Sequence, residues 1–399
     1  MNKEIDKIIH LLADEIVQFN EINPFQFLGA GSLANSLFFY KYGKYKKNDE
    51  ILNFSLNEFE KVYDTIDYKN LDSNLSLIAG YAGVGWLYQY YVNHNIIEYD
   101  EDFFSFFDDF VLDFCKKDQA IGRFDLFYGI LGYGSYFLQR SRYDKEKADF
   151  YLNEIVSIFS NMAIRDEYGI TWFSDIFSDV KGQINLGMAH GVPSIISFLT
   201  KVYIINGNTI AMQMANDSIK WILNFKSTDK NATSLFPYFV NQNNEEKKAH
   251  DSTRLAWCYG DLGIGYSIYT YGEATNNKIF MEEGLIILKN CALRKIHDTF
   301  VGVVDKGFCH GSVGIYYIFN KLIKTHNLVE FEETKNYWLE ITLSKPLLGI
   351  SSFYSHCMFE GIEKYAPDQG FINGYVGIGL TLLNHFDSDG NEWDEIFML

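Results

Sequence analysis

Two cysteines and one histidine stand at matching places in the chain and have the chemistry to hold a metal ion. Cys258 lies two residues before Gly260, and Cys309 lies two residues before Gly311, with His310 between them. Each glycine opens a Gly-rich, apolar segment, so we expect neighbouring copies of one repeat to bring the three side chains together. Two thiolates and one imidazole leave a fourth tetrahedral position open, which is typical of a catalytic rather than a structural zinc ion.

The charge of such a centre indicates its chemistry. Zinc bound by two thiolates and a neutral imidazole has no formal net charge, and an incoming substrate thiolate makes the centre negative. A site this rich in electrons is a poor Lewis acid for amide hydrolysis, but it keeps a bound thiolate deprotonated and nucleophilic. It therefore favours alkylation or addition of a thiol. The remaining cysteines are expected to be small buried apolar residues: Cys115, Cys291 and Cys357.

A sevenfold repeat must position these residues. The pattern G-x-x-G-x-G followed by apolar residues occurs in four full and three weaker copies. The lead glycines are Gly29, Gly80, Gly129, Gly191, Gly260, Gly311 and Gly374. Amphipathic stretches at helical spacing lie between them, such as Phe103 to Val111. One buried and one amphipathic helix per copy predict an all-α fold, an α/α toroid with a double ring of seven inner and seven outer helices.

Other interpretations of the repeat agree less well with the sequence. Dinucleotide-binding fingerprints need a β-rich strand before each copy, and no such strand pattern is present. An open solenoid needs an inner face less apolar than these segments provide. We therefore expect a single domain over residues 1–399, with small irregular or β insertions at 165–185 and 228–253.

Composition bounds the class of function. The chain has 399 residues, 47% of them hydrophobic, and its net charge of −18 argues against nucleic-acid binding, because phosphate contacts need a basic face. Five cysteines, an odd number, predict a reduced, intracellular protein rather than a disulfide framework. The N-terminus leads into an amphipathic helix rather than a signal peptide, and no apolar stretch reaches transmembrane length. We expect a cytoplasmic protein.

Two more polar residues lie just before lead glycines, where inner helices would begin. His190 directly precedes Gly191 and is a candidate general acid or base, since imidazole titrates near neutral pH. A buried histidine bonded to a carbonyl is its alternative. Asp125, four residues before Gly129, is as consistent with a helix cap as with a catalytic carboxylate.

The segment around Cys258 has two further candidates. If this segment is helical, Arg254 lies on the same face as Cys258, where a fixed cation could stabilise enolate charge. A surface salt bridge is the alternative for Arg254. Tyr259 is either a packing residue or a hydroxyl donor, and the sequence does not decide between them.

Three segments together resemble the hallmark motifs of the lanthionine synthetase C-like family, the lanthipeptide cyclases. They are Arg254-Leu255-Ala256-Trp257-Cys258-Tyr259-Gly260, Gly187-Met188-Ala189-His190-Gly191 and Cys309-His310-Gly311. The resemblance extends over essentially the whole chain, including the layout of seven repeats. The length is similar to that of a stand-alone class I lanthipeptide (lantibiotic) cyclase and too short for a bifunctional synthetase.

This resemblance implies an α/α toroid, a reaction and partners. The implied reaction adds cysteine thiols of a dehydrated ribosomal precursor peptide, with leader and core segments, to dehydroalanine or dehydrobutyrine, and it forms (methyl)lanthionine thioether rings. A dehydratase and an exporter are implied as partners, through which the chain could attach peripherally to a membrane. The implied residues are Cys258, Cys309 and His310 for one zinc ion (Zn2+), His190 and Asp125 for acid/base catalysis, and Arg254 and Tyr259 in support.

Two alternative functions stay open. A prenyltransferase-like enzyme also activates a peptide thiol on zinc within an α/α barrel, but it needs basic residues for a diphosphate, and none cluster at the repeat starts. A zinc-bearing thiol- or peptide-binding scaffold of the same family, without cyclase activity, would have no need of His190 and Asp125 together.

Overall fold

The computed structural model describes residues 1–399 except 23–25, 67–73, 174–181, 230, 242–252, 299–300, 345–352, 360–361 and 388–391. The α-helices of the described residues are α1 (Asn2–Ile22), α2 (Ser32–Lys46), α3 (Asp49–Tyr63), α4 (Tyr81–Asn93), α5 (Glu101–Ile121), α6 (Ile130–Arg140), α7 (Lys145–Met162), α8 (Val192–Asn206), α9 (Thr209–Leu223), α10 (Asp261–Ala274), α11 (Lys278–Leu293), α12 (Ser312–His326), α13 (Glu332–Leu343) and α14 (Tyr375–Leu383). The strands are β1 (Ile164–Arg165), β2 (Ile170–Thr171), β3 (Gln183–Asn185), β4 (Phe239–Asn241), β5 (Ser355–Phe359) and β6 (Ile362–Ala366). None of the described helices combines the length and apolar character that crossing a bilayer requires.

One kind of helix is buried almost throughout and begins directly after a glycine. Six of the seven predicted lead glycines precede such a helix, namely α4, α6, α8, α10, α12 and α14. Helix α2 also follows a glycine, but this is Gly31 rather than the predicted Gly29. These segments are apolar on nearly every side, so the helices they form are packed on all faces.

The other kind of helix is amphipathic and most of its members begin at a polar cap. In α3, α5, α7, α9 and α11 a side-chain oxygen before the helix accepts a hydrogen bond from a first-turn N–H. The capping residues are Asn48, Asp100, Asp144, Asn208 and Asn277. Each of these five helices lies against the buried helix before it; in α4 and α5, for example, the ring centroids of Tyr88 and Phe103 are 4.9 Å apart.

The chain divides into two compact units. The first comprises Met1–Asn74, Ile78–Gly80 and Gly302–Glu392. Its buried helix α14 packs against both α2 and α12, while α3 covers α2 and α13 covers α12. Helix α1 packs on α14, so the N-terminal helix is the amphipathic partner of the last buried helix. Strands β5 and β6 form an antiparallel hairpin in this unit, which the sequence did not lead us to expect.

The second unit comprises Leu75–Leu77, Tyr81–Val301 and Trp393–Leu399. Its buried helices contact one another in chain order, α4 with α6, α6 with α8, and α8 with α10. The antiparallel pairs β1–β2 and β3–β4 begin within or at the edge of the two intervals where small β insertions were expected. Strand β3 comes from the first interval and β4 from the second, so the two intervals meet. The parts of these intervals at 174–181, 230 and 242–252 lie outside the described residues.

Candidate active site

Asp125 and His190 contact each other directly, in the second unit. Nδ1 of His190 lies 2.5 Å from Oδ2 of Asp125, and the two side chains are 13% and 2% exposed. The other oxygen of Asp125, Oδ1, accepts hydrogen bonds from the backbone N–H groups of Phe127 (2.8 Å) and Tyr128 (2.9 Å). Asp125 therefore caps the turn before α6 rather than the helix itself, and its contact with His190 leaves a catalytic role as a prediction.

This contact fixes the tautomer of His190. An ionised carboxylate only accepts hydrogen bonds, so Nδ1 carries the hydrogen and donates it to Asp125. Any exchange of a proton with another group would then have to take place at Nε2.

The segment that ends at His190 lies against the segment that holds Cys258. The backbone N–H of Ala189 donates to the carbonyl of Cys258 (3.2 Å). Gly187 permits this approach, because a Cβ at that position would lie 2.5 Å from the same carbonyl oxygen. The Cys258 side chain is buried, with 4% exposure. The motif that contains His190 and the motif that contains Cys258 therefore pack against each other, directly before helices α8 and α10.

Tyr259 packs against other aromatic rings and also forms a hydrogen bond through its hydroxyl. Its ring lies 5.5 Å from that of Tyr238, in an edge-on arrangement, and 6.2 Å from that of His190. The hydroxyl accepts a hydrogen bond from Nδ2 of Asn185 at 2.9 Å. The packing role is therefore present, whereas the hydroxyl accepts in this bond and its role as a donor stays a prediction.

Arg254 does not share a helical turn with Cys258. Residues 254–260 form no helix in the structure, so the geometry on which we based the prediction for Arg254 is absent. The segment instead turns back towards its own start, so that a Cβ on Gly260, whose φ is +93°, would overlap the carbonyl oxygen of Arg254. The backbone N–H of Arg254 donates to the hydroxyl of Tyr238 (2.8 Å), and the side chain is partly exposed.

Cys309 and His310 end the segment that leads into α12, in the first unit. The backbone N–H of Cys309 donates to the carbonyl of Ile372 at 3.0 Å, which holds this segment against the one that precedes α14. Cys309 is half-buried, and the His310 side chain is 14% exposed. Both residues thus keep some access to solvent, whereas Cys258 does not.

A buried carboxylate faces the ring of His310. Oδ2 of Asp305 lies 3.2 Å from Nε2 of His310 and also accepts the backbone N–H of His356 at 2.9 Å. Oδ1 accepts the N–H of Gly307 at 2.9 Å. Burial opposes ionisation of Asp305, but the hydrogen bonds and the neighbouring imidazole outweigh it and hold the pKa of this carboxyl below its usual value.

The donor set of Cys258, Cys309 and His310 has the chemistry that zinc prefers. Thiolate sulfur and imidazole nitrogen are its usual protein ligands. The carboxylate of Asp305 on one side of the His310 ring leaves Nδ1 as the nitrogen for a metal. Such carboxylate–histidine pairs orient the histidine ligand in many zinc sites. The types of these three side chains therefore fit the predicted zinc ion.

The remaining cysteines differ from one another. Cys115 and Cys291 are buried, as expected, and burial raises the pKa of both thiols well above the usual value. The prediction was wrong for Cys357, which is exposed. It lies on the hairpin strand β5 rather than inside a helix, and the side chain faces away from the core.

Two residues near these side chains were not predicted from the sequence, Asn185 and Asp305. Each lies six residues before a lead glycine, and its Oδ1 accepts the N–H two residues further on. Asp368, six residues before Gly374, forms the same turn with Gly370 at 2.6 Å. An Asn or Asp at this offset thus forms the same turn in three repeats and was visible in the sequence, whereas Arg123 and Arg254 occupy the offset before Gly129 and Gly260.

The family model described as lanthionine synthetase C-like protein matches residues 27–398, and the chain therefore belongs to this family. The nisin biosynthesis protein NisC of Lactococcus lactis subsp. lactis is 27% identical over 163 residues, which are 39% of this chain and 38% of that relative's length. The solved structure of a nisin cyclase resembles the chain with a TM-score of 0.77 at 20% identity, covering 98% of this chain and 97% of the other. This likeness confirms the predicted all-α fold of the α/α-toroid class.

Proposed function

We propose that the chain is a zinc-dependent lanthipeptide cyclase. It would add cysteine thiols of a dehydrated ribosomal precursor peptide to dehydroalanine or dehydrobutyrine, forming (methyl)lanthionine rings. The observation that carries the proposal is the 2.5 Å contact between the buried carboxylate of Asp125 and the partly exposed imidazole of His190, in the segments that lead into α6 and α8, with Cys258 on the adjoining segment. Membership of the family supports it, as do the names of the relatives, a nisin biosynthesis protein and a nisin cyclase.

One zinc ion would be held by Cys258, Cys309 and His310. The donor types, the matching positions of the two cysteines before buried helices, and the carboxylate of Asp305 beside His310 support this ligand set. When bound, zinc in such a set keeps a peptide thiol deprotonated at neutral pH and leaves it nucleophilic. Every other step of the proposed reaction falls to side chains of the chain itself.

His190 would deliver the proton that completes the addition. Formation of the carbon–sulfur bond at the β-carbon moves the π electrons of the alkene onto the α-carbon and its carbonyl, as an enolate. The α-carbon must then gain one proton, which replaces the proton lost by the thiol. Because Nδ1 of His190 is engaged by Asp125, the transfer would come from Nε2, and Asp125 would stabilise the imidazolium beforehand.

Arg254 and Tyr259 would stabilise the negative charge of the enolate. The guanidinium is a permanent cation on a partly exposed side chain, and the hydroxyl of Tyr259 can donate a hydrogen bond to an oxygen that gains charge. A dehydratase and an exporter as partners, and a cytoplasmic location, stay predictions from the sequence.

Thiol counting tests the proposal. The zinc-loaded chain is incubated with a panel of dehydrated precursor peptides that includes the nisin precursor, and the remaining thiols are alkylated and counted by mass spectrometry. Ring closure leaves the peptide mass unchanged but removes alkylatable thiols, so we expect fewer adducts with the wild-type chain and none lost with His190→Asn. A folded, zinc-loaded chain that leaves every thiol of every peptide alkylatable would instead be a binding scaffold.

A further inference from the structure

Asn185 uses both ends of its side-chain amide, and it is almost completely buried. The residue is 1% exposed at the end of β3. Oδ1 accepts the backbone N–H of Gly187 at 2.7 Å, and Nδ2 donates to the hydroxyl of Tyr259 at 2.9 Å. The side chain therefore joins the turn before His190 to the residue that follows Cys258.

The first of these bonds fixes the direction of the second. A backbone N–H can only donate, so the atom of Asn185 that faces Gly187 must be the oxygen. The NH2 group then faces Tyr259, whose oxygen must accept. The hydroxyl of Tyr259 consequently directs its own hydrogen towards an acceptor other than Asn185.

We propose that Asn185 is a positioning residue that makes Tyr259 a hydrogen-bond donor to the reacting peptide. The inference rests on the proposed cyclase function, and it assigns to Tyr259 the task of donating to the substrate oxygen that becomes negative as the thiolate adds. The ring of Tyr259 is next to Cys258 in the chain and 6.2 Å from the ring of His190, so its hydroxyl belongs to the same group of side chains. A donor prepared in this way needs no reorientation as charge develops.

Two other residues of the candidate site also use one side-chain atom to cap a turn and the other to contact a second side chain. One oxygen of Asp125 caps a turn and the other contacts His190, while one oxygen of Asp305 caps a turn and the other contacts His310. In Asn185 the second atom, Nδ2, is a donor rather than an acceptor. A donor suits the hydroxyl of Tyr259, because a hydroxyl can either donate or accept, whereas an imidazole N–H can only donate.

Asn185→Asp tests this role, because it reverses one hydrogen bond and preserves the other. The carboxylate still accepts the N–H of Gly187, but its second oxygen accepts the hydroxyl hydrogen of Tyr259 instead of donating to it. We expect kcat for ring closure on a dehydrated precursor to fall about 100-fold, as when an oxyanion donor is removed. KM should change little, since the ground-state peptide carries no developing charge.

Making the same change in a Tyr259→Phe variant separates the positioning role of Asn185 from a purely structural role and from the effect of the added charge. In Tyr259→Phe the hydroxyl is absent, so adding Asn185→Asp should lower kcat no further. Asp368→Asn, a swap between amide and carboxylate in the equivalent turn before α14, is the matched control and should leave kcat unchanged.

Two results would overturn the inference: an unchanged kcat for Asn185→Asp, or the same fall with and without the Tyr259 hydroxyl. Failure of the proposed function is distinguishable, because the wild-type chain itself would then close no ring. The inference about Asn185 would fall with it.

Discussion

Oδ2 of Asp125 lies 2.5 Å from Nδ1 of His190, while Oδ1 of the same carboxylate caps the turn before α6. One side chain thus serves the fold and the proposed chemistry through different atoms. An alanine substitution would remove both contributions at once. Isosteric changes separate the two contributions.

Asp125→Asn should impair proton transfer and leave the turn intact. The amide oxygen can still accept the N–H groups of Phe127 and Tyr128, but its NH2 group faces Nδ1 of His190 and forces the hydrogen onto Nε2. We expect kcat for ring closure to fall by about 10²- to 10⁴-fold. Asp125→Ala should additionally lower the free energy of unfolding by about 1 kcal/mol through loss of the cap. Rates from thiol counting and chemical unfolding of both variants test this, and a wild-type rate for Asp125→Asn would exclude a catalytic role for the pair.

Asp305→Asn should weaken zinc binding. Its amide oxygen can still cap the turn at Gly307, but the group that faces Nε2 of His310 and the N–H of His356 is no longer an anion. We expect zinc affinity to fall about 10- to 100-fold, as for other carboxylates that orient a histidine ligand. Competition with a zinc chelator measures it, with Asp368→Asn in the equivalent turn as control. Equal affinities for the two variants would mean that Asp305 only caps the turn.

Asp261 should make stability depend on pH. This buried carboxyl at the start of α10 accepts the N–H groups of Leu235 and Phe236, but burial outweighs these bonds and raises its pKa to about 6. Between the usual value of 3.8 and about 6, the folded chain holds a proton on Asp261 that the unfolded chain has lost. The contribution of Asp261 to the free energy of unfolding therefore falls as pH rises through this window and is constant above it.

Chemical unfolding of the wild type and Asp261→Asn from pH 4 to pH 7 measures this contribution. The stability advantage of the wild type over the variant should shrink between about pH 4 and pH 6 and then level off. Effects of pH on other groups cancel in the comparison. A difference that does not change with pH would show that Asp261 stays ionised in the folded chain.

Gly260→Ala should be more damaging than the same change at Gly207. Both glycines have a positive φ, +93° and +72°, so alanine is strained at each by about 1–2 kcal/mol. At Gly207 a Cβ would meet nothing within 4 Å, whereas at Gly260 it would overlap the carbonyl oxygen of Arg254. The variant at Gly260 should therefore lose more stability and also zinc affinity, since Cys258 lies in the displaced segment. Similar unfolding free energies for both variants would contradict this account.

Much of the helical layout was predictable from the sequence, because glycine and apolar residues recur in a pattern that only a buried helix explains. Where the pattern was weak, the predicted start of the helix was wrong. In the first repeat the helix begins after Gly31 instead of Gly29. Within the described residues, no five-residue hairpin like that of β5 and β6 recurs before the other buried helices, so comparison between copies did not reveal it. The exposure of Cys357 follows from that hairpin.

The residue types of the candidate site were predictable, but their hydrogen bonds were not. From spacing alone, a cap and a catalytic carboxylate were alternatives for Asp125. In the structure one oxygen accepts the N–H of Phe127 and the other contacts His190. Helical spacing was the wrong basis for Arg254, because residues 254–260 form no helix before α10. Asn185 and Asp305 lie outside the three motifs, and their importance depends on contacts with residues that are distant in the chain or across a turn.

The central claim is that one zinc ion depends on the thiol of Cys258. The most direct measurement is the zinc bound per chain in purified Cys258→Ala, compared with Cys357→Ala, which removes a thiol that is exposed and outside the ligand set. We predict close to one zinc ion per chain for the wild type and Cys357→Ala, and a large loss for Cys258→Ala. Zinc bound to Cys258→Ala at the wild-type level and affinity would contradict the account.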